Sequence, residues 1–226
     1  MDIAYLGSTN VVSGSSSLEI VTLNQTLTKQ HTILAFVNCR SNTKITPVAP
    51  NGWTQIANVD GVSGKTFVYL TQPTGTTVDP TYTISGLSPT LNCAFALFFS
   101  GCSYHSSNVI NAIVQKHNTL GTGVSGFTTT TKNTMIVEFV GTVTNTQISA
   151  YASTPSLTWT ERRDSGFFHS TNIQLRIAAA TSSLAPTDNY TFFDYSFLGD
   201  TGTESEVIVV ALTPRKGNVP MSMSSL

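Results

Sequence analysis

The side chains able to do chemistry are few and scattered. Charged residues make up 10% of this 226-residue chain, against about 25% in ordinary soluble proteins. Twelve carboxylates are present, and a glycosidase would need two of them converging across a cleft. Glu138 is the one that draws notice, because it interrupts an apolar segment at 134–140. A carboxylate in such a place needs a partner or a raised pKa. Exposure at a sheet edge or a hydrogen bond from a Thr is the expected accommodation. Asp188, Asp194, Asp200, Glu204 and Glu206 form an acidic stretch, but their spacing does not match a calcium loop with carboxylates at alternate positions around a fixed Gly. His31, His105, His117 and His169 never fall at the i, i+2 or i, i+4 spacing that points two rings at one metal. No Gly-x-Ser-x-Gly is present. Gly121-Thr122-Gly123-Val124-Ser125-Gly126 has the letters of a dinucleotide fingerprint but no helix pattern after it. Cys39, Cys93 and Cys102 contain no CxxC pair. Cys93 and Cys102 bracket one apolar strand ~30 Å long, too far apart for a bridge; Cys39 could meet either. An odd count favours reduced thiols. The expectation is a protein that is not an enzyme, with no cofactor and no metal.

The elements that must position these residues repeat. Lys29-Gln30-His31-Thr32-Ile33-Leu34-Ala35-Phe36-Val37 reads like Lys132-Asn133-Thr134-Met135-Ile136-Val137-Glu138-Phe139-Val140. Each is followed by a Trp-Thr pair (Trp53, Trp159), an alternating strand, a Tyr-Thr pair (Tyr82, Tyr190) and an apolar run at 94–99 or 207–212. Phe36 and Phe139 are 103 residues apart, the two Trp 106 and the two Tyr 108. Two fused units of about 100 residues are expected, one over 15–105 and one over 118–215, forming a single domain over 1–215 with a tail at 216–226. Period-two alternation at 18–23, 32–37, 66–71, 134–140 and 172–177 predicts strands, and Gly, Pro, Asn and Asp clusters predict the turns between them. No window sustains a helical pattern for three turns. Residues 107–117 read as a linker with at most one helical turn. The two apolar runs read as central strands covered on both faces, in the middle of two sheets and side by side. The fold class is all-β, a two-sheet antiparallel sandwich.

Composition narrows the function classes. Thr alone accounts for 36 residues and the net charge is −1. A pI near 6.4 with dispersed Lys and Arg argues against a nucleic-acid groove; Arg162-Arg163 and Arg215-Lys216 are the only adjacent basic pairs. So little charge leaves a surface weakly protected against self-association, which fits life in an assembly. The opening Met1-Asp2-Ile3-Ala4-Tyr5 lacks the basic and apolar regions of a secretory signal. The longest apolar run is far short of the ~20 residues that cross a bilayer. Synthesis in the cytoplasm, without membrane insertion, is expected.

Trp53 and Trp159 hold equivalent places, which favours a structural plug over a sugar platform, since a ligand site is seldom built twice. Phe36, Phe139, Tyr82 and Tyr190 complete this structural signature. If the chain binds a glycan, Tyr69 and Tyr151 are the candidate contacts, with Trp53 beside them.

The order of these features resembles a family of phage-encoded and bacterial proteins that run from an "LLAFV"-like strand through "PAGWT", "YTFT" and "AFSGV" to a closing "VALRP". Here the matching residues are Ile33-Leu34-Ala35-Phe36-Val37, Ala49-Pro50-Asn51-Gly52-Trp53-Thr54, Tyr82-Thr83-Ile84-Ser85, Phe98-Phe99-Ser100-Gly101-Cys102 and Val210-Ala211-Leu212-Thr213-Pro214-Arg215. The chain departs from that pattern at Cys102, where Val is usual, and at Ser103-Tyr104, where Asp-Pro is usual. The resemblance implies a jelly-roll-like sandwich and a virion structural protein of head-decoration, tail or fibre type. Its partners would be other virion proteins and copies of itself, its location the virion. It brings no catalytic residues. The alternative reading is a carbohydrate-binding module or host-glycan adhesin.

Overall fold

The alternating segments pair into antiparallel sheets throughout. The computed structural model describes residues 2–15, 17–21, 26–40, 47–62, 64–78, 81–87, 91–104, 109–119, 123–143, 147–170, 173–196 and 204–216. Two large sheets dominate. The first takes β1 (Ala4–Ser8), β10 (Leu91–Ser100), β5 (His31–Arg40), β7 (Gly64–Thr71) and β6 (Thr54–Asp60) in that spatial order, with β2 (Val12–Gly14) also on β10. The second takes β11 (Ile110–Thr119), β18 (Glu204–Leu212), β13 (Thr134–Thr142), β16 (Ile173–Ala185) and β15 (Trp159–Ser170). The two orders are the same, strand for strand. Smaller sheets pair β3 (Ser17–Val21) with β9 (Thr81–Ser85) and β4 (Thr26–Leu27) with β8 (Thr77–Val78), and place β17 (Asn189–Ser196) between β12 (Val124–Thr128) and β14 (Ile148–Thr154).

The protein is thus an all-β sandwich, and it has more layers than the sequence suggested. The large sheets face each other, with Leu34, Phe36, Val68 and Phe95 meeting Val137, Phe139, Ile177 and Ile208. The outer face of the first carries Ala35, Val37, Tyr69 and Phe98, covered by Leu18, Ile20, Leu27 and Ile84. The outer face of the second carries Ile136, Val207 and Val209, covered by Val124, Phe127, Tyr190 and Phe192. Burial on both faces explains why β10 and β18 are continuous apolar runs rather than alternating ones; β5 and β13, read as alternating, are buried along both faces as well. The expected central place of β10 and β18 is corrected. Each lies second in its sheet, because β1 and β11 pair outside them, and the third places belong to β5 and β13. Nor are they side by side, since each belongs to a different sheet.

The expected linker at 107–117 is also corrected. Residues 105–108 lie outside the described residues, and Ile110–Thr119 is the edge strand β11. A bulge between Ile110 and Ala112 shifts the phase of the alternation. Ile110 therefore packs on the central core while Ala112 and Val114 face the outer one. In the sequence this reads as an irregular apolar pattern.

Bulges fall on β1, β6, β11 and β15 at the edges of the large sheets: at Tyr5/Gly7, Gln55/Ala57, Ile110/Ala112 and twice along β15. The edges also close on one another within the chain. Asn58 N–H on β6 donates to Gln115 Oε1 on β11 at 3.0 Å. Arg163 Nη2 on β15 donates to Thr9 O just past β1 at 2.6 Å, and Arg162 lies 4.1 Å over the Tyr5 ring. Bulged and covered edges do not offer a ladder to another strand. Phe36 stacks directly on Phe139 at 4.9 Å where the two large sheets meet.

Two positions further along β5 and β13 the pair is Asn38 and Gly141. A Cβ on Gly141 would overlap Thr66 Cγ2 and press on the Asn38 amide. Its absence lets Asn38 Nδ2 donate to Thr142 O (3.1 Å) and Arg176 O (2.9 Å) across the two halves. Asn38→Ala removes both buried bonds, and we expect it to lower stability by about 2 kcal/mol, read as a shift of the urea midpoint at unchanged slope.

Candidate recognition groove

Four loops meet at one end of the sandwich. The turn between β4 and β5 is fastened by its own groups: Thr28 N–H donates to His31 Nδ1 (3.2 Å), Gln30 N–H to Thr28 Oγ1 (3.2 Å) and His31 N–H to Thr28 O (2.9 Å). Burial lowers the pKa of His31, which keeps the imidazole neutral and its nitrogen able to accept. The fastened turn presents Lys29 and Gln30, both exposed. After β7, Gln72 Nε2 donates to Ser103 O and to Thr32 Oγ1 (3.0 Å), which fixes this side chain. Tyr104 follows β10 and Arg215 follows β18. Arg215 N–H donates to Gly101 O at 2.7 Å, its guanidinium carbon lies 4.0 Å over the Tyr104 ring, and Nη1 donates to the Tyr104 hydroxyl. Together they line an open groove of about 620 Å³, with Pro73 and Thr74 on the β7–β8 side. A second depression of about 520 Å³ continues it past Lys29 and Gln30 over Thr28, Gly75 and Thr76. Donors, hydroxyls and one aromatic line this groove. Such groups can hold a polar ligand by hydrogen bonds and charge.

The titratable groups with the most unusual surroundings lie elsewhere. His117 on β11 sits opposite Glu206 on β18. Its Nδ1 is 3.6 Å from Glu206 Oε1 and its Nε2 is 3.8 Å from Glu204 Oε1. Glu206 is only 1% exposed, and burial, then the neighbouring Glu204 charge, pushes its pKa up to about 8. The carboxyl is shut beneath the turn between β6 and β7: a Cβ on Gly61 would overlap Glu206 Oε1. Glu138 is fully buried on β13, third in its sheet, so of the two expected accommodations, edge exposure and a hydrogen bond from a Thr, the first is corrected. Its register partner explains the space it fills. In the first sheet Ala35 faces Tyr69, and in the second Glu138 faces Ala180. The large side chain has changed strand. Neither buried carboxylate is open to a substrate.

The aromatic signature is structural in its contacts. Trp53 packs edge-on against Tyr82 (4.9 Å), and Trp159 packs edge-on against Phe192 (6.0 Å), which stacks on Tyr190. Both indoles, partly buried, plug the gap between a large sheet and its small one. The two candidate glycan contacts differ in exposure. Tyr69 is 1% exposed, its ring in the outer core of the first half, and burial raises its pKa. Tyr151, half-buried, stacks on Trp159. His105, Asp79, Asp200 and the tail beyond Lys216 lie outside the described residues. The three cysteines are buried and none is in a disulfide. Burial pushes the Cys93 thiol well up and that of Cys102 to about 12. We expect an aromatic disulfide reagent at pH 8 to leave all three unmodified in the native protein and to titrate three on denaturation, since only the thiolate reacts.

Lys29, Gln30, Gln72, Tyr104 and Arg215 were not singled out as a site from sequence. The Arg215-Lys216 pair was visible, but nothing local joins it to a turn 186 residues earlier. Among the described residues no group of three or more His, Cys, Asp or Glu is placed to hold a metal ion, and no helix is long and apolar enough to cross a membrane. No protein family, curated protein or solved structure matches the chain.

Proposed function

We propose that the protein is a non-enzymatic structural component of a phage particle, working through contacts with other virion proteins and with copies of itself. The observation that carries this reading is the closed architecture. The sheet edges meet one another inside the chain, and the strongly perturbed carboxylate Glu206 is sealed between the halves. What remains outside is a rigid body of low charge whose faces and loops are free to pack. Assembly then runs through those faces and loops rather than through added strands. The common strand order of the two sheets and the Phe36–Phe139 stack support an origin by duplication of one jelly-roll-like unit. Light scattering at two concentrations, with add-back to particles lacking the protein, tests the proposal. A discrete oligomer and stoichiometric rebinding are expected. A chain that stays monomeric and does not rebind overturns it.

A second reading, a host-glycan adhesin on the same particle, is favoured by the groove, whose size and polar lining suit a small saccharide. A glycan array on the full chain tests that reading directly.

A further inference from the structure

We propose that the groove takes an acidic glycan, its carboxylate held by Lys29 and Arg215 and its sugar hydroxyls by Gln30 and the threonines beyond. The inference rests on the glycan-binding reading and adds the charge and orientation of the ligand.

Three features of the lining carry it. First, its charge is of one sign. Lys29 and Arg215 come from opposite halves of the chain, and among the described lining residues of the two depressions there is no carboxylate, in a protein whose net charge is −1. Two cations side by side in a groove suit an anionic ligand. Second, the cationic wall is preorganised. Arg215 lies over Tyr104, its guanidinium carbon 4.0 Å from the ring centroid and Nη1 bonded to the hydroxyl, with its backbone tied to Gly101. A guanidinium held against a ring presents its remaining donors to a carboxylate with less rotamer freedom left to lose. The Lys29 turn is likewise locked by Thr28 and His31. Third, the groove is long. The depression past Lys29 is floored by Thr28, Thr76 and Gly75, where even a Cβ would meet open space. Hydroxyl and backbone groups there suit the neighbouring sugars of a chain rather than a lone anion.

The second half supplies a control. Lys132 is the counterpart of Lys29 in the repeated segment and is exposed. Near it, however, Asn111 Nδ2 donates to Thr130 Oγ1 and Thr131 Oγ1, both at 3.0 Å, and Thr130 N–H donates to Asn111 Oδ1. The polar groups that would greet a ligand are satisfied among themselves.

The test is calorimetric titration of the full chain with tetragalacturonate and with its methyl ester at physiological salt. The acid is expected to bind and the ester to bind at least tenfold more weakly. Lys29→Gln and Arg215→Gln should each weaken binding of the acid about tenfold, while Lys132→Gln leaves it unchanged. Equal binding of acid and ester overturns the acidic-ligand inference while the glycan reading stands. Binding that ignores Lys29 and Arg215 removes the groove as the site. No binding of the acid at millimolar concentration overturns the inference, and the array result then decides the underlying reading separately.

Discussion

Phe139→Ala is expected to lower the stability of the folded chain by about 3–5 kcal/mol, the cost of emptying an aromatic site in a core that cannot collapse around it. Phe139 is fully buried, stacks on Phe36 at 4.9 Å and touches Phe95 at 6.3 Å. Its neighbours sit on the inner faces of two hydrogen-bonded sheets, which limits how far they can move into the gap. A loss of that size is a large fraction of the 5–15 kcal/mol that separates most native proteins from unfolding, so the variant should melt far below the parent. Phe36→Ala should cost about as much, since the two residues hold corresponding places. The double variant is the informative one. If the halves meet across Phe36 and Phe139, the two losses share a contact and should fall short of additivity by about 0.5–1.5 kcal/mol. Full additivity in a urea-denaturation cycle would count against the central place given to this pair.

Much of that centre was readable in the chain. Lys29–Val37 and its copy around Lys132–Val140 announce two equivalent strands, and Phe36 and Phe139 were paired by sequence alone. Their stacking was not readable, because a one-dimensional repeat does not say whether the units lie beside or upon each other. The strands β1 and β11 escaped notice for a local reason. Each is an edge strand broken by a bulge, and a bulge destroys the period-two signal that marks a strand. Glu138 misled for another reason. Sequence places a carboxylate in an apolar strand and predicts edge exposure or a hydrogen bond from a Thr, but the volume at that site is set across the ladder, where Ala180 stands at the place that Tyr69 holds in the first sheet. Tyr69 itself alternates like any half-exposed strand residue, and only the small outer sheet, packed over it, reveals that its face is covered. The groove was the least legible feature. Its lining comes from four loops of both halves, and loops carry no periodicity to connect them.

Glu206 should make the protein less stable as pH rises from about 5 to 8, opposite to the trend set by a paired surface carboxylate. The sign follows from where the proton is held. An unburied Glu titrates near 4.5, while Glu206 in the folded chain is pushed up to about 8. Below the lower value both states hold the proton and the site costs nothing. Between the two values the unfolded chain releases its proton and the folded chain keeps it, so each added pH unit favours unfolding. Above about 8 the folded site ionises too, and the loss stops growing. The whole effect is at most about 5 kcal/mol. Other charges face this site: Glu204 on the same strand, His117 on β11, and the Asp60–Lys65 pair flanking the turn above it, 3.0 Å apart. All of them remain in Glu206→Gln, which keeps the shape of the side chain and removes its titration. That variant should match the parent near pH 5 and exceed it by a few kcal/mol near pH 8.5, measured as urea midpoints across the range. Gly61→Ala is the steric counterpart, since its Cβ would overlap the Glu206 carboxyl, and it should destabilise at every pH. A parent curve that is flat from pH 5 to 8, or a Glu206→Gln curve with the parent's slope, would mean that the carboxyl between the halves reaches solvent. The seal that separates structure from chemistry in this fold would then be absent.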